Sequence, residues 1–131
     1  MAYLFSEALL VAVNKDPEFR LAARYWNGIV KFTMGPRVYL LILKDGELHE
    51  VIRDPGMMND WDFDLYIQAP ADEWQKLLEA VPKPFYQAIL PASIYHGFSL
   101  GGDFTSFCAY YRALSRLVEL MRGHAVFEKE V

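Results

Sequence analysis

The chain has 131 residues, one cysteine and a formal net charge of −4, with a pI near 5.3. An acidic balance argues against a nucleic-acid binder, which needs a basic patch, and gives no support for electrostatic attachment to anionic membranes. Cys108 alone allows neither an intrachain disulfide nor a cysteine metal cage, while the length suits one domain, 1–131, with a sizeable core.

Apolar residues make up 53% of the chain and aromatic ones 15%, so the interior must be bulky. Surplus apolar surface of this kind lines a cavity or a partner face as readily as it fills a core. The run Leu9-Leu10-Val11-Ala12-Val13 is approached through Glu7 and lacks a basic leader and a small-residue cleavage site. No apolar run reaches the roughly 18 residues of a membrane span. A cytoplasmic protein without stable membrane insertion is expected.

Residues 3–14 read as a first helix, apolar around most of its circumference and therefore largely buried. Asp16 suits an N-cap and Pro17 the first position of a second helix. Phe19, Ala22, Ala23 and Trp26 form its stripe, which Asn27-Gly28 ends. From Val30 the period becomes two, with Val30, Phe32 and Met34 on one face and Lys31 and Thr33 on the other. Gly35-Pro36 turns the chain. Residues 38–43 are apolar without a break, as in a strand covered on both faces. Asp45-Gly46 is the pair favoured by a two-residue hairpin turn, and 47–53 return with Leu48, Glu50 and Ile52 opposed to His49 and Val51.

Asp54-Pro55-Gly56 closes that hairpin, and Met57-Met58-Asn59-Asp60 crosses to a central strand over 61–69. Trp61, Phe63, Leu65, Ile67 and Ala69 hold its odd positions; Asp62, Asp64, Tyr66 and Gln68 hold the even ones. After Pro70 the acids Asp72 and Glu73 open a helix whose face is Trp74, Leu77, Leu78 and Val81. Pro82 and Pro84 stop it, and 85–93 read as a short helix closed by Pro91. Phe98-Ser99-Leu100 alternates and Gly101-Gly102 bends sharply. Asp103 then caps a last helix running to about Arg122, with Gly123 at a helix-ending position. Strands arriving in succession with short links predict a mainly antiparallel sheet.

The last helix carries two adjacent stripes: Phe104, Phe107, Tyr111, Leu114, Val118 and Met121, and beside them Tyr110, Ala113, Leu117 and Leu120. So wide an apolar arc is packed on more than one side. Cys108, between Phe107 and Ala109, is expected to be buried and inert.

Residues with catalytic chemistry are scattered. His49, His96 and His124 have no metal-ligand spacing to one another or to a cysteine. Asp62 and Asp64 share a strand face, where they form an acid/base pair if buried and a solvated face otherwise. Met57-Met58 reads as a pliable rim or as filler. Gly101-Gly102 ahead of the last helix is a poor phosphate loop, because Asp103 repels the anion.

The order of segments, with three local signatures, resembles the sterol carrier protein type two family. Trp26-Asn27-Gly28 opens the first strand; Ala69-Pro70-Ala71-Asp72-Glu73-Trp74 is similar to the family's strand-to-helix passage; Gly97-Phe98-Ser99-Leu100-Gly101-Gly102-Asp103 looks like its short final strand leading into the last helix. The match spans roughly residues 16–122. The resemblance implies an α+β fold: a five-stranded sheet with helices on one face (3–25, 71–93 and the final strand and helix 97–122 around the sheet at 28–69), enclosing an apolar tunnel. It further implies a lipid carrier that is not an enzyme and needs no cofactor or metal. On that analogy Phe32, Phe63, Leu65, Phe85, Ile89, Phe98, Leu100, Phe104, Phe107, Tyr111, Leu114 and Val118 line the ligand, the last helix forming a wall. The chain departs from peroxisomal members in having no C-terminal tripeptide of the Ser-Lys-Leu kind and few lysines around Phe98–Asp103, which points to a bacterial-type relative with its own ligand.

The leading functional expectation is binding and transfer of a long-chain fatty acyl, sterol or isoprenoid-like lipid, by a monomer or a homodimer. The alternative is an accessory domain presenting a lipid or quinone precursor to partner enzymes. A third reading is a small enzyme using Asp62, Asp64, a tyrosine or His96.

Overall fold

The computed structural model of the protein describes residues 7–56, 63–79 and 81–124. The expected helix start at residue 3, Met57 to Asp60, Trp61, Asp62 and the tail from 125 lie outside them. The elements are α1 (Glu7–Lys15), α2 (Pro17–Ala22), β1 (Gly28–Met34), β2 (Arg37–Lys44), β3 (Glu47–Arg53), β4 (Leu65–Ala69), α3 (Ala71–Leu77), α4 (Ile89–Tyr95), β5 (Ser99–Gly102) and α5 (Phe104–His124).

Local signals placed most of these. Asp16 Oδ2 accepts the Phe19 amide at 2.8 Å, capping α2 behind Pro17. Asp45 and Gly46 both have positive φ, 53° and 79°, the backbone of the expected hairpin turn. Asn27 Oδ1 accepts the Asp45 amide at 3.0 Å and so pins that turn to the start of β1. Asp103 Oδ1 accepts the Thr105 amide at 3.1 Å at the head of α5.

The sheet has five strands in the order β3-β2-β1-β4-β5. It is mixed, which corrects the expectation of a mainly antiparallel sheet: β1 and β4 pair in parallel, Val30 opposite Leu65 and Met34 opposite Ala69. The reason lies in direction. β3 and β4 run the same way, β2 already fills the place beside β3, and β4 adds to the free side of β1, which has that same direction, so the pair is parallel. Strand β4 also starts later than the alternation suggested. Asp64 precedes it, its carboxylate accepting the Ile29 amide at 2.8 Å while its own amide donates to the Ile29 carbonyl at 2.8 Å.

A second correction concerns β3. Leu43 pairs with Leu48, but the next residue of β2, Ile42, pairs with Glu50. His49 is thus an extra residue, a β-bulge, and it brings Leu48 and Val51 to the same core side although they are three apart.

The short helices are shifted as well. Helix α3 ends at Leu77, so Val81 falls beyond the expected stripe and is largely exposed. Helix α4 starts at Ile89 and runs to Tyr95, with Pro91 inside it. A proline in the first turn gives up an amide that has no partner there, so Pro91 opens this helix where the sequence suggested it would close one.

Val30, Phe32, Met34, Tyr39, Leu41, Leu65 and Ile67 form the core face of the sheet with Leu9, Val13, Phe19 and Trp26 of the N-terminal segment. Helix α5 lies against α1, α2 and β4. Asn14 holds α1 to β3 by bonding both peptide groups of Leu48, at 2.9 and 3.0 Å. Arg116 joins α5 to α2 through two bonds to Asp16, at 2.8 and 2.9 Å, which keep the Asp16 carboxyl below its usual range.

Edge strand β5 depends on its two glycines. A Cβ on Gly102, whose φ is +103°, would lie 2.2 Å from the Asp64 carbonyl oxygen, whereas one on Gly101 would meet only the outer end of the Tyr66 ring, at 2.4 Å. Gly102→Ala is therefore expected to cost about 2 kcal/mol or more, because backbone must shift. Gly101→Ala should cost less, since a side chain can swing aside. Denaturant unfolding of the two variants checks the ranking, and the reverse order would contradict this account of β5.

Candidate functional site

Helix α5 is built in two parts. Residue Tyr110, with φ −115° and ψ 17°, departs from helical geometry inside it. Beyond that kink Ala113, Leu114, Leu117, Val118 and Met121 are all at most 1% exposed and belong to the core. Before it Phe104 is 76% exposed, and Phe107 is only half-buried. The same apolar stripe is therefore wedged tight at one end and open at the other.

Tyr110 holds the kink by stacking on Trp26, with ring centroids 4.6 Å apart and planes 5° apart. Phe107 and Tyr111 stack next to it at 5.3 Å. The Tyr111 hydroxyl accepts the Leu90 amide at 3.0 Å, tying α5 to α4. Helix α4 carries no charged residue and turns Leu90 and Ile94 outward, 44% and 67% exposed.

The expected ligand residues fall into three groups. Phe32, Leu65, Ile89, Phe98, Leu114 and Val118 are buried in the core cluster. Phe32 and Phe98 meet through Trp74, whose ring lies 5.3 Å from the first and 5.1 Å from the second. Trp74 was not among the expected site residues, although its place on the α3 stripe marked it as inward-facing. Leu100, Phe107 and Tyr111 are half-buried. Phe63 and Phe85 lie apart from both sets. Phe63 packs edge-on to Tyr66, with Lys31 Nζ 4.8 Å from its ring, on the sheet face turned away from the core. The reason is that β4 begins only at Leu65, so Phe63 is not bound by the strand's alternation. Phe85 stacks on Tyr95 at 4.0 Å and is 45% exposed. The expected tunnel is not shown among the described residues, where the clefts seen are open to the surface.

A five-stranded sheet in this order, with its helices and a long kinked final helix over β4, decides the fold. The chain has the sterol carrier protein 2 fold. It superposes on a crystal structure of sterol carrier protein 2 with a TM-score of 0.72 and 23% identity, covering 91% of this chain and 94% of that one. A solution structure of a conserved hypothetical protein from Thermus thermophilus matches with a TM-score of 0.65 and 23% identity, over 95% and 92% of the two chains. A UbiJ-SCP2 ubiquinone synthesis protein matches at 0.56 with 14% identity, over 89% and 87%. No protein-family model matches the sequence, and no curated protein does.

Of the residues with catalytic chemistry, Asp64 and His96 have partners within this fold. Asp64 is engaged by the Ile29 amide. His96 stacks on Tyr86 at 3.6 Å, and its Nε2 lies 3.2 Å from the Pro84 carbonyl. His49 is exposed on its bulge, and the described residues hold no cluster of three metal-ligating side chains. Cys108 is exposed, not buried, because it shares an edge of α5 with Thr105 and Arg112, which both face solvent.

Tyr86 connects α3 to this corner, donating from its hydroxyl to Glu73 Oε2 at 2.6 Å. Burial first, and then the Glu73 carboxylate, push its phenol from 10.0 to about 12. Below pH 10 both folded and unfolded chains keep that proton. Between 10 and about 12 only the unfolded chain releases it, so stability falls as pH rises through the window. Tyr86→Phe is expected to flatten this alkaline loss in denaturant unfolding at stepped pH; an unchanged slope would show that Tyr86 does not set it.

Proposed function

We propose that the chain is a non-enzymatic lipid-binding protein whose residues 1–131 act as one domain. The ligand is a long apolar molecule: a fatty acyl chain, a sterol or an isoprenoid. It enters between the N-terminal part of α5, α4 and the β4–β5 end of the sheet. Phe104, Phe107, Tyr111 and Leu100 form the mouth. Behind them Phe32, Leu65, Ile89, Phe98, Leu114 and Val118 form the wall that yields as the chain slides in. Phe63 and Phe85 take no part.

The observation that carries this reading is the division of α5 at Tyr110, on a sterol carrier fold. An apolar stripe that leaves the core and stays open beside a chargeless helix is surface that water opposes and an alkyl chain covers. Each methylene moved out of water gains about 0.8 kcal/mol, so a chain of about ten offsets the ordering cost without a strong polar anchor.

A second reading keeps the same pocket and adds an accessory role, presenting the lipid or a quinone precursor to partner enzymes in the cytoplasm. The structural likeness to a ubiquinone synthesis protein favours it.

Organic extraction of the natively purified protein followed by mass spectrometry tests the reading directly, and a long-chain lipid at near-stoichiometric amount is expected. Phe107→Trp should weaken binding of a fluorescent fatty acid about tenfold while the fold survives. Leu114→Trp, inserted where no room exists, should instead lose about 1–3 kcal/mol of stability. A protein that yields no lipid and binds no fluorescent fatty acid would end the proposal.

A further inference from the structure

Away from the apolar mouth, the other side of α5 meets α2 in a corner of different chemistry. A groove of about 500 Å³ runs between the two helices, lined by Leu21, Ala22, Arg24, Ala109, Tyr110 and Arg112, with Glu18 and Arg116 at its side. A second depression of about 480 Å³ shares Arg24 and is lined by Arg20, Tyr25, Asn27, Asp45, Gly46 and Glu47.

The arginines are not equivalent. Arg116 is engaged inside the protein by Asp16, Glu18 and Glu119. Among the described residues Arg20, Arg24 and Arg112 form no ion pair. Three exposed guanidinium groups without carboxylate partners there stand together on a chain of net charge −4. Apolar side chains stand between and beside them. Leu21 is 64% exposed and Tyr25 81% exposed, and Ala22 and Ala109 keep the floor shallow.

Tyr25 is also held in a left-handed backbone conformation, φ +70°, which costs a bulky residue free energy and in native proteins gathers at functional sites. The conformation turns its ring outward beside Arg24, whose guanidinium carbon lies 6.0 Å from the ring centre.

We propose that this α2–α5 corner is a docking surface for an acidic segment of a partner protein. The occupant is an amphipathic helix with carboxylates placed to pair with Arg24 and Arg112 and an apolar side chain seated on Leu21, Ala22 and Ala109. Arginine and tyrosine around an apolar centre is the composition of interface hot spots, and planar guanidinium groups suit bidentate carboxylate pairing. A flat anionic bilayer fits less well. The groove is concave, and Glu18, Asp45 and Glu47 stand in the same two depressions, where they repel a continuous negative surface but leave room for a pattern of discrete charges. The inference is independent of the lipid reading.

The test uses the full chain and a helical probe peptide of about 15 residues, with glutamate along one flank and leucine along its apolar stripe. Amide chemical shifts of Leu21, Arg24, Tyr25, Ala109 and Arg112 are expected to move on titration. Replacing every glutamate of the probe by glutamine should weaken binding about tenfold. The double variant Arg24→Glu, Arg112→Glu should do the same while keeping the wild-type Tm, and Arg24→Gln, Arg112→Gln serves should the reversal unfold. No binding, equal affinity for both probes, or shifts confined to α4 would overturn the proposal. So would phosphatidylglycerol vesicles binding the protein in place of the probe and losing it in the same variants, which assigns the corner to a membrane.

Discussion

One sheet face of apolar side chains has to be covered, and α5 is the element long enough to do it. Its 21 residues span roughly 31 Å at 1.5 Å each, more than α1 and α2 can reach with 9 and 6 residues. Two arginines hold it in place from opposite flanks. Arg116 clamps it to Asp16 ahead of α2. Arg122 donates at 2.9–3.0 Å to the carbonyls of Leu77, Tyr86 and Gln87, closing the α3–α4 passage over the same helix. Burial among these groups partly desolvates the guanidinium and lowers its pKa, an effect that the nearby Glu119 carboxylate only partly offsets. Both clamps sit beyond the kink at Tyr110.

That placement explains why the two parts of α5 differ. The clamped part packs Leu114, Leu117, Val118 and Met121 into the core. The part before Tyr110 is held by softer contacts, the Phe107–Tyr111 stack and the bond from the Leu90 amide. The end of the helix before Tyr110 therefore keeps fewer buried contacts than the end beyond it. The inner residues of the wedged part are core side chains, while the stripe before Tyr110 stays open.

Much of this was legible in the chain. The Asp16-Pro17 cap, the Asp45-Gly46 turn, the Asp103 cap and the α5 stripe are local signals, and each depends on residues a few positions apart. The burial of Phe32, Leu65, Leu114 and Val118 followed from the same periodicities, whereas their place at a ligand came only from the family resemblance. Failures occurred where a residue's role is set by a distant strand. His49 looked like one position in a regular alternation, and only its pairing with β2 reveals the bulge. Phe63 looked like a partner of Leu65, yet the strand starts after it and its ring lies on the opposite face. Cys108 looked buried because its neighbours are apolar, although the edge it shares with Thr105 and Arg112 faces solvent.

The residues taken in order were enough to place most elements, their succession, the apolar face of each and the likeness to sterol carriers, because periodicity and capping act within a few positions. Three features waited on the assembled fold: β4 running beside β1 in parallel, α5 breaking at Tyr110 against Trp26, and three arginines gathered at one corner without carboxylate partners among the described residues. Each of these joins segments far apart in the chain, and the free energy that selects it comes from packing and pairing that exist only once those segments meet.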